Sequence, residues 1–201
     1  MNKSIENKLL YLQNLYNKNK DMYDEKFQIY WQEYFKRWNK KHESTNRIYR
    51  SIPTILSVVK ELNFKKDAVI LDICCGSPVA LNKIKNEFPQ YKAYGIDIYT
   101  NEFEDFEENC SNGVKVFKFP FQMLFDKMYK SQKDIDLVIM TNSFRAFDEK
   151  LKEQIKNWCH NNSKNFRHDQ QTFEKPTYED LLNVIRVTNP HPDHPDGELV
   201  P

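Results

Sequence analysis

Only four glycines occur in 201 residues, and three of them (Gly76, Gly95 and Gly113) fall in one central stretch, so their placement says more than their number. Charge of one sign is missing as well: 30 basic against 29 acidic residues leave a formal +1, which gives no electrostatic case for nucleic acid or an anionic membrane. No apolar run approaches the length of a membrane span, and the start, MNKSIENKLL, has no signal-peptide pattern. Cysteine is sparse: Cys74 and Cys75 are adjacent, while Cys110 and Cys159 stand alone. Neither a zinc spacing nor a disulfide framework results, and a reducing cytoplasm is the expected compartment.

What is present is concentrated in residues 68–97. The apolar run Ala68 to Ile73 contains Asp72 near its end and leads into a Cys74-Cys75-Gly76-Ser77 turn. Ser77 reads as an N-cap, with Pro78 at the first helical position, where its missing N–H costs nothing. Leu81, Ile84 and Phe88 then recur at helical spacing, and a second run, Tyr94 to Ile98, carries Asp97. The pattern is strand, turn, helix, strand, with a carboxylate at the carboxyl end of each strand. Open α/β sheets bind nucleosides in the crevice outside those ends. Gly76 lets a ligand approach the backbone, and Asp97 is placed to accept hydrogen bonds from a ribose diol. The plainer alternative is a βαβ unit with capped helix ends and no ligand.

This segment resembles the first two motifs of class I S-adenosylmethionine-dependent methyltransferases. Asp72 matches the acidic residue that ends their first strand, Cys74 the first glycine of the turn, Gly76 the central one and Pro78 the last. Asp97 matches the residue that holds the ribose hydroxyls, with Ile98 beside it. The resemblance covers roughly residues 50 to 165. It implies a Rossmann-like sheet of order 3-2-1-4, with a possible fifth strand, and S-adenosylmethionine as cofactor. Val114 to Phe119 reads as the third strand, and 133–147 as the fourth strand with its loop. Asp136 opens that strand, and Thr141, Asn142 and Ser143 close it. In PFQMLFDKMY the resemblance points to Gln122 for the adenine amine, with Phe121 or Met123 lining the adenine face. The cofactor-binding set is therefore Asp72, Cys74, Gly76, Ser77, Asp97, Ile98, Gln122 and Asn142.

Flanking regions differ in character. Tyr23, Phe27, Tyr30, Trp31, Tyr34, Phe35 and Trp38 form one helical stripe, and Ile5 to Tyr16 is a second amphipathic segment. Residues 1–50 thus read as a helical cap or lid, 51–168 as the Rossmann-like domain, and 169–201 as a C-terminal helix with a Pro- and His-rich tail. The stripe caps the sheet core or forms a lid over an acceptor pocket, two roles that can coexist, with Tyr23 and Tyr30 as lid residues. Arg47, Tyr49 and Arg50 are expected in the link to a helix at about Ile52 to Leu62. A fifth strand has only Asn165 to His168 available, and a sheet stopping at strand four calls for a partner strand, a covering helix or self-association. His191, Asp193, His194 and Asp196 have ligand chemistry, but on a proline-bound tail no metal site is expected.

The resemblance implies transfer of a methyl group already activated by a sulfonium charge, so alignment and exclusion of water are the main demands on the protein. Asn142 and Arg145 are the candidates for orienting the acceptor, with Tyr30 above it. An Asn-Pro-Pro-Tyr run for a flipped base is absent, which with the charge balance favours a small-molecule acceptor over nucleic acid. The alternatives are a noncatalytic methyltransferase-like protein that works through a partner chain, and a nicotinamide oxidoreductase, which the glycine-poor turn disfavours.

Overall fold

A computed structural model describes residues 4–27, 43–98, 105–128, 133–141, 143–144 and 147–168, with backbone alone for 43–50. Among these, five strands run in chain order: β1 (Val69–Ile73), β2 (Lys92–Ile96), β3 (Lys115–Phe117), β4 (Ile135–Met140) and β5 (Ser163–His168). Every pairing is parallel and the spatial order is β3-β2-β1-β4-β5. The fold is therefore a Rossmann-like α/β sheet. Its order reverses between β1 and β4, and the crevice beyond the carboxyl ends of these strands is the ligand position of such sheets.

The two faces follow from alternation along the strands. Ile70, Ala93, Leu137 and Ile139 point to one side, where they meet α3 (Glu43–Leu62) and α4 (Val79–Glu87) through Val59, Leu81 and Ile84. Leu71, Ile73, Tyr94, Ile96, Val138 and Met140 point to the other. There they meet α1 (Ile5–Lys18), α2 (Lys20–Lys26), α6 (Met123–Lys127) and α7 (Glu149–Asn162). A short α5 (Phe106–Cys110) lies beside α4, between β2 and β3.

The amphipathic segment at the start of the chain is α1, and it is core rather than appendage. Ile5, Leu9, Leu12 and Tyr16 are buried against the sheet, each aliphatic contributing about 1.5–3 kcal/mol relative to exposure. Polar contacts set its direction: Glu6 accepts from Tyr94 Oη (2.9 Å) and Lys115 Nζ (2.6 Å), and Lys8 pairs with Asp134 at 2.8 Å. Of the aromatic stripe, the described members are Tyr23 and Phe27. Tyr23 is buried between Tyr16 and Phe27 with ring centroids 6.5 and 5.9 Å away, a core position. Tyr30 and the rest of the stripe lie outside the described residues, as do 169–201. Helix α3 begins at Glu43, so Arg47, Tyr49 and Arg50 stand within a helix and not in a link.

The short polar segment near residue 165 does form β5, longer than the sequence indicated, so the sheet does not stop at strand four. Among the described residues β5 is an edge strand, and an edge strand needs only one apolar side. Phe166 packs on the core, His168 stacks on Phe144 with centroids 4.0 Å apart, and Lys164 and Arg167 stay exposed. Charges on an edge blunt pairing with another sheet. Helix α7 enters β5 without a glycine: Ser163 Oγ donates to the Cys159 carbonyl (2.7 Å), which also takes the Ser163 N–H, and Asn162 Nδ2 donates to the Trp158 carbonyl (2.9 Å), adding second bonds in the last turn. The scarcity of glycine also leaves left-handed positions to Asn63, Asp67, Cys74 and Lys133.

Asp136 does more than open β4. Its Oδ2 accepts from the Val69 N–H at 2.8 Å and its Oδ1 from Lys164 Nζ at 2.6 Å, so one carboxylate joins the starts of β1, β4 and β5. Asp136→Ala is expected to lower stability by about 1 kcal/mol, mainly by orphaning the Val69 N–H. An unchanged urea midpoint would remove that role.

Candidate functional site

The turn after β1 is held to β2 from three directions. Cys74 and Cys75 both donate their backbone N–H to the Ile96 carbonyl, at 2.8 and 3.2 Å, and the Gly76 N–H donates to Asp97 Oδ2 at 2.9 Å. The turn demands left-handed backbone twice, at Cys74 (φ +60°) and at Gly76 (φ +54°). Gly76 meets that demand without strain. Cys74 meets it at the position matched above to a glycine, where a Cβ costs about 1 kcal/mol or more.

The start of α4 departs from the sequence reading. Pro78 (φ −79°, ψ 46°) is the cap residue and not the first helical one, and the Val79 N–H closes a tight turn onto the Ser77 carbonyl at 2.8 Å. Among the described residues no side chain caps this helix. The hydroxyl of Ser77, 2% exposed, instead accepts from Asn109 Nδ2 at 3.0 Å. Tertiary competition took the hydroxyl from its local role.

Two acids converge here. Asp72 is 1% exposed. Its Oδ2 accepts a long bond from Thr141 Oγ1 (3.4 Å), and its Oδ1 is buried without a partner among the described residues. Burial pushes its carboxyl well above the usual range. The Thr141 bond works the other way, and the nearby Asp97 carboxylate raises it further. Burial, then Asp97 and Asp72, likewise push the Cys74 and Cys75 thiols up, so neither is a ready nucleophile. Asp97 itself is buried just past the end of β2, with its N–H donating to the Phe117 carbonyl at 3.2 Å.

The fold thus brings together Asp72, Cys74, Gly76, Ser77 and Asp97. Ile98 follows Asp97 and packs partly on the core. Gln122 is the cap residue of α6 and half-buried, and among the described residues no hydrogen bond ties its side chain to the acidic pair. Phe121 is buried between Phe125 and Phe147, and Met123 is fully buried in the core. Asn142, Arg145 and Tyr30 lie outside the described residues. Sequence reasoning missed Asn109 and its partner Asn82. The available signal was a set of asparagines, Asn82 and Asn86 one turn apart and Asn109 and Asn112 before a glycine.

No protein-family model matches the chain, and no curated protein matches its sequence. Solved structures similar to it include PKMT2 from Rickettsia typhi in complex with AdoHcy, at 18% identity and TM-score 0.41 over 57% of this chain and 23% of that one. Another is the plantazolicin methyltransferase BpumL with a triazolic desmethylPZN analog and SAH, at 16% identity and TM-score 0.47 over 97% of this chain and 73% of that one. A third is a putative O-methyltransferase from Nostoc punctiforme, at 15% identity and TM-score 0.44 over 69% of this chain and 44% of that one. The chain therefore spans under a quarter of the first and under half of the third. Among the described residues, no helix is long and apolar enough to cross a membrane, and no cluster of His, Cys, Asp or Glu could hold a metal ion.

Proposed function

We propose that this chain is a class I methyltransferase that binds S-adenosylmethionine at the carboxyl ends of β1 and β2 and methylates a small-molecule acceptor. The observation that carries the reading is the buried Oδ1 of Asp72, which has no partner among the described residues and lies in the field of a second carboxylate, Asp97. A cationic ligand group completes such a pair, and the methionine ammonium has that chemistry. Asp97, fixed to the turn by the Gly76 N–H, suits a ribose diol. The absence of a Cβ at Gly76 gives the ligand access to the backbone. The donor set fits the cofactor.

When bound, the cofactor supplies a methyl group activated by its sulfonium charge. The chain's own part is to hold both ends of the nucleoside, exclude water and orient the acceptor. Thr141 follows β4 and bonds to Asp72, and Asn142 and Arg145 shortly after it in the chain are proposed to orient the acceptor, with Tyr30 contributing from the N-terminal region. Neutral thiols at Cys74 and Cys75 do not compete as methyl acceptors.

Calorimetric titration with S-adenosylmethionine and S-adenosylhomocysteine tests the reading. Asp97→Ala is expected to weaken both about 10–100-fold, through lost charge-assisted hydrogen bonds and a loosened turn. A well-folded wild-type chain that binds neither would overturn the proposal. Binding without turnover across an acceptor screen would favour a noncatalytic, partner-dependent protein.

A further inference from the structure

Asn109 is an amide buried to 5% exposure, and each of its polar groups has a partner. Its Nδ2 donates to Ser77 Oγ and to the Asp105 carbonyl, both at 3.0 Å, and its Oδ1 accepts from Asn82 Nδ2 at 2.9 Å. The chain of amides continues outward: Asn112 Nδ2 reaches Asn82 Oδ1 at 2.6 Å and Asn86 Oδ1 at 2.9 Å. Asn109 therefore ties three pieces together at one point: the turn after β1, helix α4, and the start of α5. Only an amide provides two donors and an acceptor in this shape. Aspartate lacks the donors, and leucine lacks everything but the volume.

We infer that Asn109 is the positioning residue of the ligand-binding turn, holding Ser77 away from the helix-capping role its sequence position favours. This rests on the reading that the crevice takes S-adenosylmethionine. The turn carries two left-handed residues and a tight turn across Pro78, a conformation that surrounding contacts must maintain. Ser77 has two competing partners, the Asn109 amide and the N–H groups of the first turn of α4, which no side chain caps among the described residues. Serine is a strong N-cap, so loss of Asn109 lets the hydroxyl swing to the helix. The turn then rearranges, and the Gly76 N–H leaves Asp97. Asn109 touches no ligand in this scheme. It acts through Ser77.

Amide hydrogen exchange on the ligand-free chain tests the positioning role independently of any ligand. In Asn109→Leu, exchange at Gly76 and Val79 is expected to accelerate about tenfold or more, with strand amides such as Val138 unchanged. The dissociation constant for S-adenosylhomocysteine is expected to rise about tenfold or more, with Asn109→Gln recovering part of the loss. Uniform acceleration of all amides, or no change at the turn, overturns the inference. Should Asn109→Leu fail to fold, Ser77→Ala decides, since it removes the hydroxyl and leaves the buried amide in place. Faster exchange at Gly76 then supports the inference and unaltered exchange overturns it. Wild-type chain that binds no S-adenosylhomocysteine overturns the ligand-positioning claim through the site reading, while the exchange result still stands on its own.

Discussion

Asp72→Asn is expected to stabilise the ligand-free chain by about 1–3 kcal/mol and to weaken S-adenosylmethionine binding at least about 100-fold. Both effects have one origin. Asp72 is buried next to Asp97 with one oxygen unpartnered among the described residues, so its charged form is disfavoured until a cation arrives. Asparagine keeps the shape and the Thr141 bond and removes the charge that Asp97 opposes. A bound ammonium, however, loses its buried counter-charge, and breaking such a pair costs about 3–5 kcal/mol. S-adenosylhomocysteine carries the same ammonium and is expected to lose affinity in parallel. A variant that binds like wild type would remove Asp72 from the site.

The same group makes stability depend on pH. The folded-state pKa of Asp72 is raised, so between the unfolded value of about 3.9 and the folded one the native state holds the extra proton. The contribution of this group is complete below the unfolded value and is lost as pH rises through the folded one. Stability of the ligand-free chain is therefore expected to fall with rising pH on account of Asp72, and Asp72→Asn to flatten that slope. Urea midpoints for both proteins across the range from about pH 5 to pH 8 measure the difference. Parallel slopes would assign the dependence to other groups.

Gly95→Ala is expected to destabilise the chain by about 2–3 kcal/mol and to disturb ligand binding from inside the core. Gly95 lies in β2, paired with Asp72 in β1. A Cβ built there would stand 2.6 Å from Cys75 Sγ, 3.2 Å from Val116 Cγ2 and 3.3 Å from Leu81 Cδ1. The nearest of these is decisive. Cys75 is a short, buried side chain in the turn after β1, so its Sγ gives way only by rotating about χ1 within the core or by moving with the turn. Removing the obstacle should restore the fit: Gly95→Ala with Cys75→Ala is expected to recover most of the loss, a coupling of about 1–3 kcal/mol in a double-mutant cycle. Strict additivity of the two changes would show that the clash lies elsewhere. The glycine in β2 thus makes room for the turn, while the one at Gly76 serves the backbone conformation itself.

How much of this was legible varies with the kind of signal. Strand alternation and helix periodicity are local, so β1, α4, β2 and β4 stood close to their expected places. Asp72, Gly76 and Asp97 emerged from a pattern short enough to read directly. The fifth strand was harder, because Ser163 to His168 is polar and its one apolar side depends on β4, Phe144 and the core lying beside it. The cap of α4 was misplaced for the opposite reason. Ser77 followed by Pro78 is a strong local capping signal, and a buried asparagine 32 residues away outcompetes it.

The sequence by itself determined the alternating β and α periods, the parallel unit they build, and two carboxylates at the ends of adjacent strands. Those features are set by neighbours within a turn or a strand's length. Only the tertiary structure decided that Asp72 keeps an oxygen without a partner among the described residues, that Gly95 leaves room for Cys75, and that Asn109 holds Ser77. Each of these depends on what packs against a side chain from a distant part of the chain. Burial then changes the outcome, because removal from water turns a minor polar preference into a decisive one.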